Sequence, residues 1–126
     1  MLSTNLKLII SGLSFLVIFG AGFWLHNTGK PYNMALFTLH KLVTIGLIIF
    51  LAITVSKMHQ VTPLNSVQIV ALAITALFFL ATIATGGMLS VDKVFPPIVS
   101  ILHKVLPFVT LVSTSVSFYL LLFKIR

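Results

Sequence analysis

The chain contains 126 residues, of which 59% are hydrophobic, only 7% are charged and none is cysteine. A soluble domain is about 25% charged, so this composition excludes an ordinary water-soluble protein and predicts that lipid is the solvent. The net charge of +7 does not indicate nucleic-acid binding, because the eight basic residues are scattered at segment ends. The lack of cysteine excludes disulfides, thiolate-held zinc and iron–sulfur clusters.

Four apolar segments follow one another, each long enough for the roughly 20 residues that a membrane-spanning helix needs. The first is predicted to be a retained helix rather than a cleaved signal, because its apolar run is longer than a usual signal core. The second begins near Pro31, which suits the first turn of a helix. The predicted spans are about residues 6–25, 31–56, 66–85 and 96–123. Short connections make successive helices antiparallel, so the sequence predicts one all-α transmembrane domain, an up-down-up-down four-helix bundle.

The two halves of the chain share a sequence pattern. Lys30 precedes a Leu-His-Lys triplet that contains His40, and Lys93 precedes the same triplet around His103. Both pairs are offset by 63 residues without a gap, and an aromatic residue aligns as well. One shared tripeptide can arise by chance, but two at the same depth of equivalent helices are less expected. The pattern predicts a duplicated two-helix unit.

His40 and His103 are the candidate functional residues. Each lies about two turns inside its helix, and spans two and four run in the same direction, so the sequence predicts both side chains at one depth. An ionisable residue inside a membrane span costs free energy, so its presence there indicates a function. Two imidazoles at one level suit the two axial positions of a haem iron. Diagonal helices of a bundle lie about 11–14 Å apart, a gap that two histidines and an iron can fill.

Further residues are predicted to surround the haem. Gly20 and Gly22 end the first span at about the depth of the histidines and free volume for a porphyrin. Lys41 and Lys104 follow the histidines and are predicted to meet the haem propionates. Close helix packing for the glycines and snorkelling for the lysines remain alternatives. A polar or irregular seam on span four is predicted to face the bundle interior: Ser100, His103, Pro107, Thr110, Thr114 and Ser117.

This pattern resembles the membrane b-type cytochromes, in which histidines on the second and fourth helices of a four-helix bundle hold haem. The cytochrome b subunit of quinol–cytochrome c reductase has that architecture. The resemblance implies that His40 and His103 are the iron ligands. Two-haem members carry another histidine fourteen residues further along each ligand helix, where this chain has Thr54 and Ser117. The resemblance therefore implies one haem b per chain.

The predicted function is electron transfer by a haem b protein that exchanges electrons with quinol or a partner protein. Such a chain is an electron carrier or an oxidoreductase subunit rather than a stand-alone enzyme. The expected location is a bacterial or archaeal cell membrane, with both termini in the cytoplasm. The expected partners are the lipid bilayer, a quinone, other respiratory subunits or a second copy in a homodimer.

Other interpretations stay open at this point. The histidine pair could fix helix packing, or handle a quinone or protons without haem. The chain could be a non-haem anchor of a larger respiratory complex. A small four-helix transporter usually couples to protons through an embedded carboxylate, but Asp92 is the only acidic residue and is predicted to lie in a loop. His26 and His59 are predicted in interfacial loops, where histidine is ordinary.

Overall fold

A computed structural model describes residues 3–91 and 93–122 of the chain. These residues form four α-helices: α1 (Thr4–Thr28), α2 (Met34–Val61), α3 (Ser66–Ser90) and α4 (Pro97–Leu122). Each of the four is long and apolar enough to cross a membrane. The predicted all-α class, with four spanning helices of an integral membrane protein, is confirmed. Asp92, the end of span four at residue 123, Lys124 and Arg126 lie outside the described residues.

Capping side chains, rather than the limits of the apolar runs, set where the helices begin. The Asn33 side chain accepts a hydrogen bond of 3.0 Å from the backbone N–H of Leu36, so α2 begins at Met34 and not at the predicted Pro31. α3 begins at the predicted residue 66, because Asn65 and the third helical residue bond to each other reciprocally as a capping box.

The helices also end later than the apolar runs do. α2 continues through Lys57 and His59 to Val61, where the sequence predicted a connection from residue 57 onward. It stops there because Pro63 disfavours helical backbone at the residue before it. α3 continues through Gly86 to Ser90, past the predicted end at residue 85. α2 and α3 are therefore each more than one turn longer at this end than hydropathy alone indicates.

The chain divides into two compact units, which we call unit 1 (Met1–Pro63) and unit 2 (Leu64–Arg126). The sequence predicted one transmembrane domain with an internal repeat of a two-helix unit, and the two compact units contain 63 residues each. α1 packs against α2 in unit 1, and α3 packs against α4 in unit 2. Each unit contains one Leu-His-Lys triplet on its second helix.

Within unit 2 the interhelical hydrogen bonds show an antiparallel hairpin. Gln68 at the start of α3 bonds to the carbonyl of Leu120 near the end of α4, at 3.0 Å. Near the other end, Thr85 of α3 contacts His103 in the second turn of α4 at 3.1 Å. The polar seam predicted for α4 is turned inward, because its side chains are buried or half-buried: Ser100, His103, Pro107, Thr110, Thr114 and Ser117.

Large apolar side chains dominate the outward faces of both units. Leu16, Phe23, Leu77 and Phe108 are each more than 60% exposed. In water this much apolar surface would drive aggregation, whereas in a bilayer it is the surface that lipid chains cover. The buried positions instead include many hydroxyl groups, since helices in lipid gain little from burying apolar side chains against one another.

Candidate functional site

In unit 1, His40 points from α2 into the backbone of α1. Its Nδ1 lies 3.0 Å from the carbonyl oxygen of Ile18. Gly22 lies one turn further along α1, and a Cβ added there would be 3.0 Å from Cε1 of His40. That distance is shorter than almost all contacts of real Cβ atoms. The glycine therefore leaves the space in which the imidazole reaches the carbonyl.

In unit 2, His103 makes the same arrangement with α3. Its Nδ1 lies 3.1 Å from the carbonyl oxygen of Thr82. Gly86 lies one turn further along α3, and a Cβ added there would be 2.7 Å from Cε1 of His103. The hydroxyl oxygen of Thr85 also lies 3.1 Å from this Nδ1. We call each set of histidine, carbonyl and glycine a histidine notch.

The two histidine notches are structural equivalents, although the sequence repeat does not align them fully. The glycine precedes the histidine by 18 residues in unit 1 and by 17 residues in unit 2. A gapless alignment of the halves pairs Gly22 with Thr85, whereas the contacts pair Gly22 with Gly86. One residue fewer between the notch components of unit 2 explains why the repeat was visible only on the second helix of each unit.

The hydrogen-bond partner fixes the tautomer of both histidines. A backbone carbonyl only accepts hydrogen bonds, so Nδ1 of His40 and of His103 must each carry a hydrogen. In that neutral tautomer the ring's lone pair is on Nε2. Histidines that bind metals almost always donate their other ring N–H to a carbonyl, carboxylate or water, which orients the ring and raises its basicity. In this tautomer Nε2 is the ring atom with which a histidine can ligate a metal.

The lysines next to the histidines remain exposed. Nζ of Lys41 lies 4.4 Å from the centre of the Phe37 ring, one turn earlier on α2, which is a cation–π distance. Lys104 is exposed as well. Both side chains thus extend from the helix surface, the position from which they could snorkel or meet an anion. Their pairing with propionates stays a prediction.

The glycines of the site differ from the predicted set in one respect. A Cβ added to Gly20 would meet nothing within 4 Å, and the same holds for Gly87. Gly22 and Gly86 are the glycines that contact an imidazole. Gly86 and Gly87, which close the predicted third span, were both expected to free volume near the histidines, whereas Thr85 beside them was not considered. The repeat would have indicated Gly86 if the alignment had allowed a one-residue gap.

The positions fourteen residues after each notch histidine are occupied by buried hydroxyl groups. Thr54 donates to the carbonyl of Phe50 at 2.8 Å, within its own helix. Ser117 contacts the hydroxyl of Thr75 at 3.0 Å, across the hairpin of unit 2. Both side chains serve helix structure and packing, and neither offers a strong iron ligand.

No group of three or more histidine, cysteine, aspartate or glutamate side chains that could hold a bare metal ion occurs within residues 3–91 and 93–122. Comparison with family models, with curated proteins and with solved structures finds no match for this chain. The meaning of the histidine notches therefore has to be argued from their own geometry.

Proposed function

We propose that the chain is a membrane haem b protein in which His40 and His103 are the two axial ligands of one haem iron. The observation that carries the proposal is the histidine notch, which occurs once in each unit with the same atoms in the same roles. A histidine that only packs two helices also needs an acceptor for its N–H, but packing alone does not require the same carbonyl and glycine geometry to recur on a second pair of helices. Their repetition supports selection for the imidazole orientation itself.

The donor set fits haem better than it fits a bare metal ion. Zinc in proteins takes three or four protein ligands, commonly cysteine, histidine or a carboxylate. The two notches offer two imidazoles, and the chain's one carboxylate side chain, Asp92, is predicted to lie in a loop. A porphyrin brings four nitrogen donors of its own and asks only two axial ligands of the protein. Two histidines therefore complete the coordination of haem iron.

The chain's own residues would hold the ligands, orient them and keep water away. The carbonyls of Ile18 and Thr82 each accept an Nδ1 hydrogen, so each imidazole directs its Nε2 lone pair along a fixed line. Bound haem would supply one-electron redox chemistry at its iron. Because both axial positions are filled by the protein, the arrangement favours electron transfer over binding of oxygen.

The position of the histidines along their helices indicates which electron partners can reach them. Both are in the second turn of a membrane-spanning helix, at the start of α2 and of α4. Each histidine thus lies toward one end of its span, and a haem held by both would lie near one membrane face, where a lipid-soluble quinol or a partner protein can approach. With a hydroxyl group at Thr54 and at Ser117, the chain has no second pair of ligands further along. We propose exchange of electrons at one face of the membrane.

The test is spectroscopic. The protein is expressed with a supply of haem, purified in detergent and measured as the dithionite-reduced minus oxidised absorption difference. We expect a b-type α band and, by pyridine haemochrome, one haem per chain. A colourless protein under these conditions would overturn the proposal, and the histidines would then be packing or proton-carrying groups.

A further inference from the structure

The end of unit 1 opposite its histidine notch contains a buried lysine. Lys7 lies in the first turn of α1 and is only 6% exposed. The other lysines within the described residues are all exposed: Lys30, Lys41, Lys57, Lys93 and Lys104. Residues 1–63, which make up unit 1, contain no aspartate or glutamate. Burying an ammonium group without a counter-charge costs free energy, and a lysine near the end of a span usually extends to the interface instead. The position of Lys7 therefore calls for an anion that the side chains of unit 1 do not supply.

Ser11 lies one turn further along the same face of α1 and is buried as well. Its Oγ is the one buried side-chain oxygen or nitrogen without a hydrogen-bond partner within residues 3–91 and 93–122. A serine inside a helix can donate to the carbonyl four residues earlier, as Ser14 does to Ile10 at 2.8 Å. Ser11 does not make the corresponding bond to the carbonyl of Lys7. An unpartnered buried hydroxyl costs free energy, so a second donor without an acceptor lies next to the buried ammonium.

Unit 2 has the same position with its hydroxyl group bonded. Counted from the notch glycine, Ser11 corresponds to Thr75 and Lys7 corresponds to Ala71. The Thr75 hydroxyl contacts the carbonyl of Ala71 at 2.9 Å and the hydroxyl of Ser117 at 3.0 Å. A hairpin of this kind can therefore satisfy a hydroxyl here, and it does not need a lysine. The lysine and the unpartnered hydroxyl of unit 1 are thus not demanded by helix packing, which supports a role in binding.

We propose that Lys7 and Ser11 bind the phosphate of an anionic lipid headgroup. A phosphate brings negative charge to the ammonium group and oxygen acceptors to both donors. The first turn of a membrane-spanning helix lies close to the headgroups, where such lipids are abundant. The positive end of the α1 dipole lies at the same place, with no acidic side chain in that turn. The first backbone N–H groups of α1 add donors of the kind that hold phosphate at helix N-termini. This site does not depend on haem.

The test compares two lipids that have the same acyl chains and differ in headgroup charge. The full chain is released from detergent micelles that contain phosphatidylglycerol, which has a net negative charge, or phosphatidylcholine, which has none. Native mass spectrometry then measures the affinity for each lipid. We expect tighter binding of phosphatidylglycerol, and a loss of about tenfold in Lys7→Met, the usual effect of removing a charge-assisted hydrogen bond. Ser11→Ala should cause a smaller loss, because it keeps the charge.

Lys57→Met is the matched control. Lys57 lies near the end of α2, which is beside the start of α1 in the antiparallel hairpin of unit 1, and it is exposed. This variant removes the same charge and should leave the affinity nearly unchanged. Equal losses in Lys7→Met and Lys57→Met would show unspecific attraction and overturn the site. Equal binding of both lipids by the parent chain would overturn it too.

Two further outcomes keep the test decisive. Displacement of the bound lipid by an excess of inorganic phosphate would reveal a site for a free anion and overturn the assignment to lipid. Lys7→Met is expected to stay folded, because it removes a buried charge and keeps an unbranched apolar chain, and circular dichroism checks this. If it does not fold, Ser11→Ala decides, since an unchanged affinity for phosphatidylglycerol in that variant would contradict the proposal.

Discussion

At the scale of single residues, the histidine notch depends on a missing side chain. An imidazole can reach the backbone carbonyl of a neighbouring helix only if the residue one turn along that helix has no Cβ in its path. Gly22 and Gly86 meet this requirement, whereas Gly20 and Gly87 do not contact a histidine. The chain therefore offers two glycines with an expected role at the histidines, and other glycines whose added Cβ would meet nothing can serve as controls.

We expect Gly86→Ala to weaken haem binding by about 10- to 100-fold, the usual cost of disturbing a group that orients a metal ligand. The added methyl would lie 2.7 Å from Cε1 of His103 and must push the ring away from the Thr82 carbonyl. Gly22→Ala should have the same effect to a smaller degree, because its Cβ would lie 3.0 Å from Cε1 of His40. Haem titration of the purified variants, followed by absorbance, measures both affinities.

The controls are Gly87→Ala and Gly12→Ala, whose added Cβ atoms would meet nothing within 4 Å. Both should bind haem as the parent does, since alanine is otherwise favourable in a helix. Equal losses in Gly86→Ala and Gly87→Ala would show that the glycines matter for general helix packing. The notch would then have no special part in holding the histidine.

At the scale of helices, polar contacts tie α3 to α4 at the end opposite the histidine. The Gln68 side chain is 1% exposed, donates to the carbonyl of Leu120 at 3.0 Å, and accepts from the N–H of Asn65 at 3.0 Å. One residue thus caps α3 and joins the two helices. Further along α3 and α4, on the way to the histidine, the hydroxyl of Thr75 contacts the hydroxyl of Ser113.

Gln68→Leu should therefore destabilise unit 2. We expect a loss of about 1 kcal/mol, because interhelical hydrogen bonds in membrane proteins contribute amounts of this order. Reversible unfolding of the haem-free protein in mixed micelles, followed by circular dichroism, measures it. Gln60→Leu is the control, since Gln60 is exposed in the last turn of α2. A loss of the same size in both variants, or in neither, would contradict the structural role assigned to Gln68.

The sequence predicts the helices well and their ends poorly, for a physical reason. Apolar runs of membrane length identify all four helices, because lipid demands them. The ends depend on individual hydrogen bonds, such as that of Asn33 to the backbone of Leu36, which hydropathy does not register. The same holds for the site. The intramembrane histidines stand out in the sequence because an ionisable side chain inside a membrane costs free energy. The choice of Gly86 over Gly87, in contrast, depends on the rotation of one helix against another.

At the scale of the whole molecule, the two compact units each contain one histidine notch. One imidazole per unit is half of what a six-coordinate haem iron needs. If one haem is held by both units, a chain that contains both would carry its second ligand in the same polypeptide, whereas a single unit would depend on binding another. The proposed function therefore gives a reason for the two units to be parts of one polypeptide.

This argument predicts how single replacements should behave. His40→Ala and His103→Ala should each abolish the low-spin haem signal completely, because each removes one of two ligands to the same iron. Retention of about half the haem in each variant would instead show that every unit binds its own haem, which would contradict the proposal of one iron with two histidines. His26→Ala is the control, since His26 is exposed in the last turn of α1 and should leave the spectrum unchanged.

Mixing the two single variants then separates ligands of one chain from ligands of two. If one chain supplies both histidines, co-expression of His40→Ala with His103→Ala restores no low-spin haem, because no molecule contains a complete pair. If a homodimer shares the site, the mixture restores part of the signal, since an intact His40 in one chain can meet an intact His103 in the other. We expect no restoration, because the second ligand within the same chain is present at a far higher effective concentration than one that must arrive by diffusion.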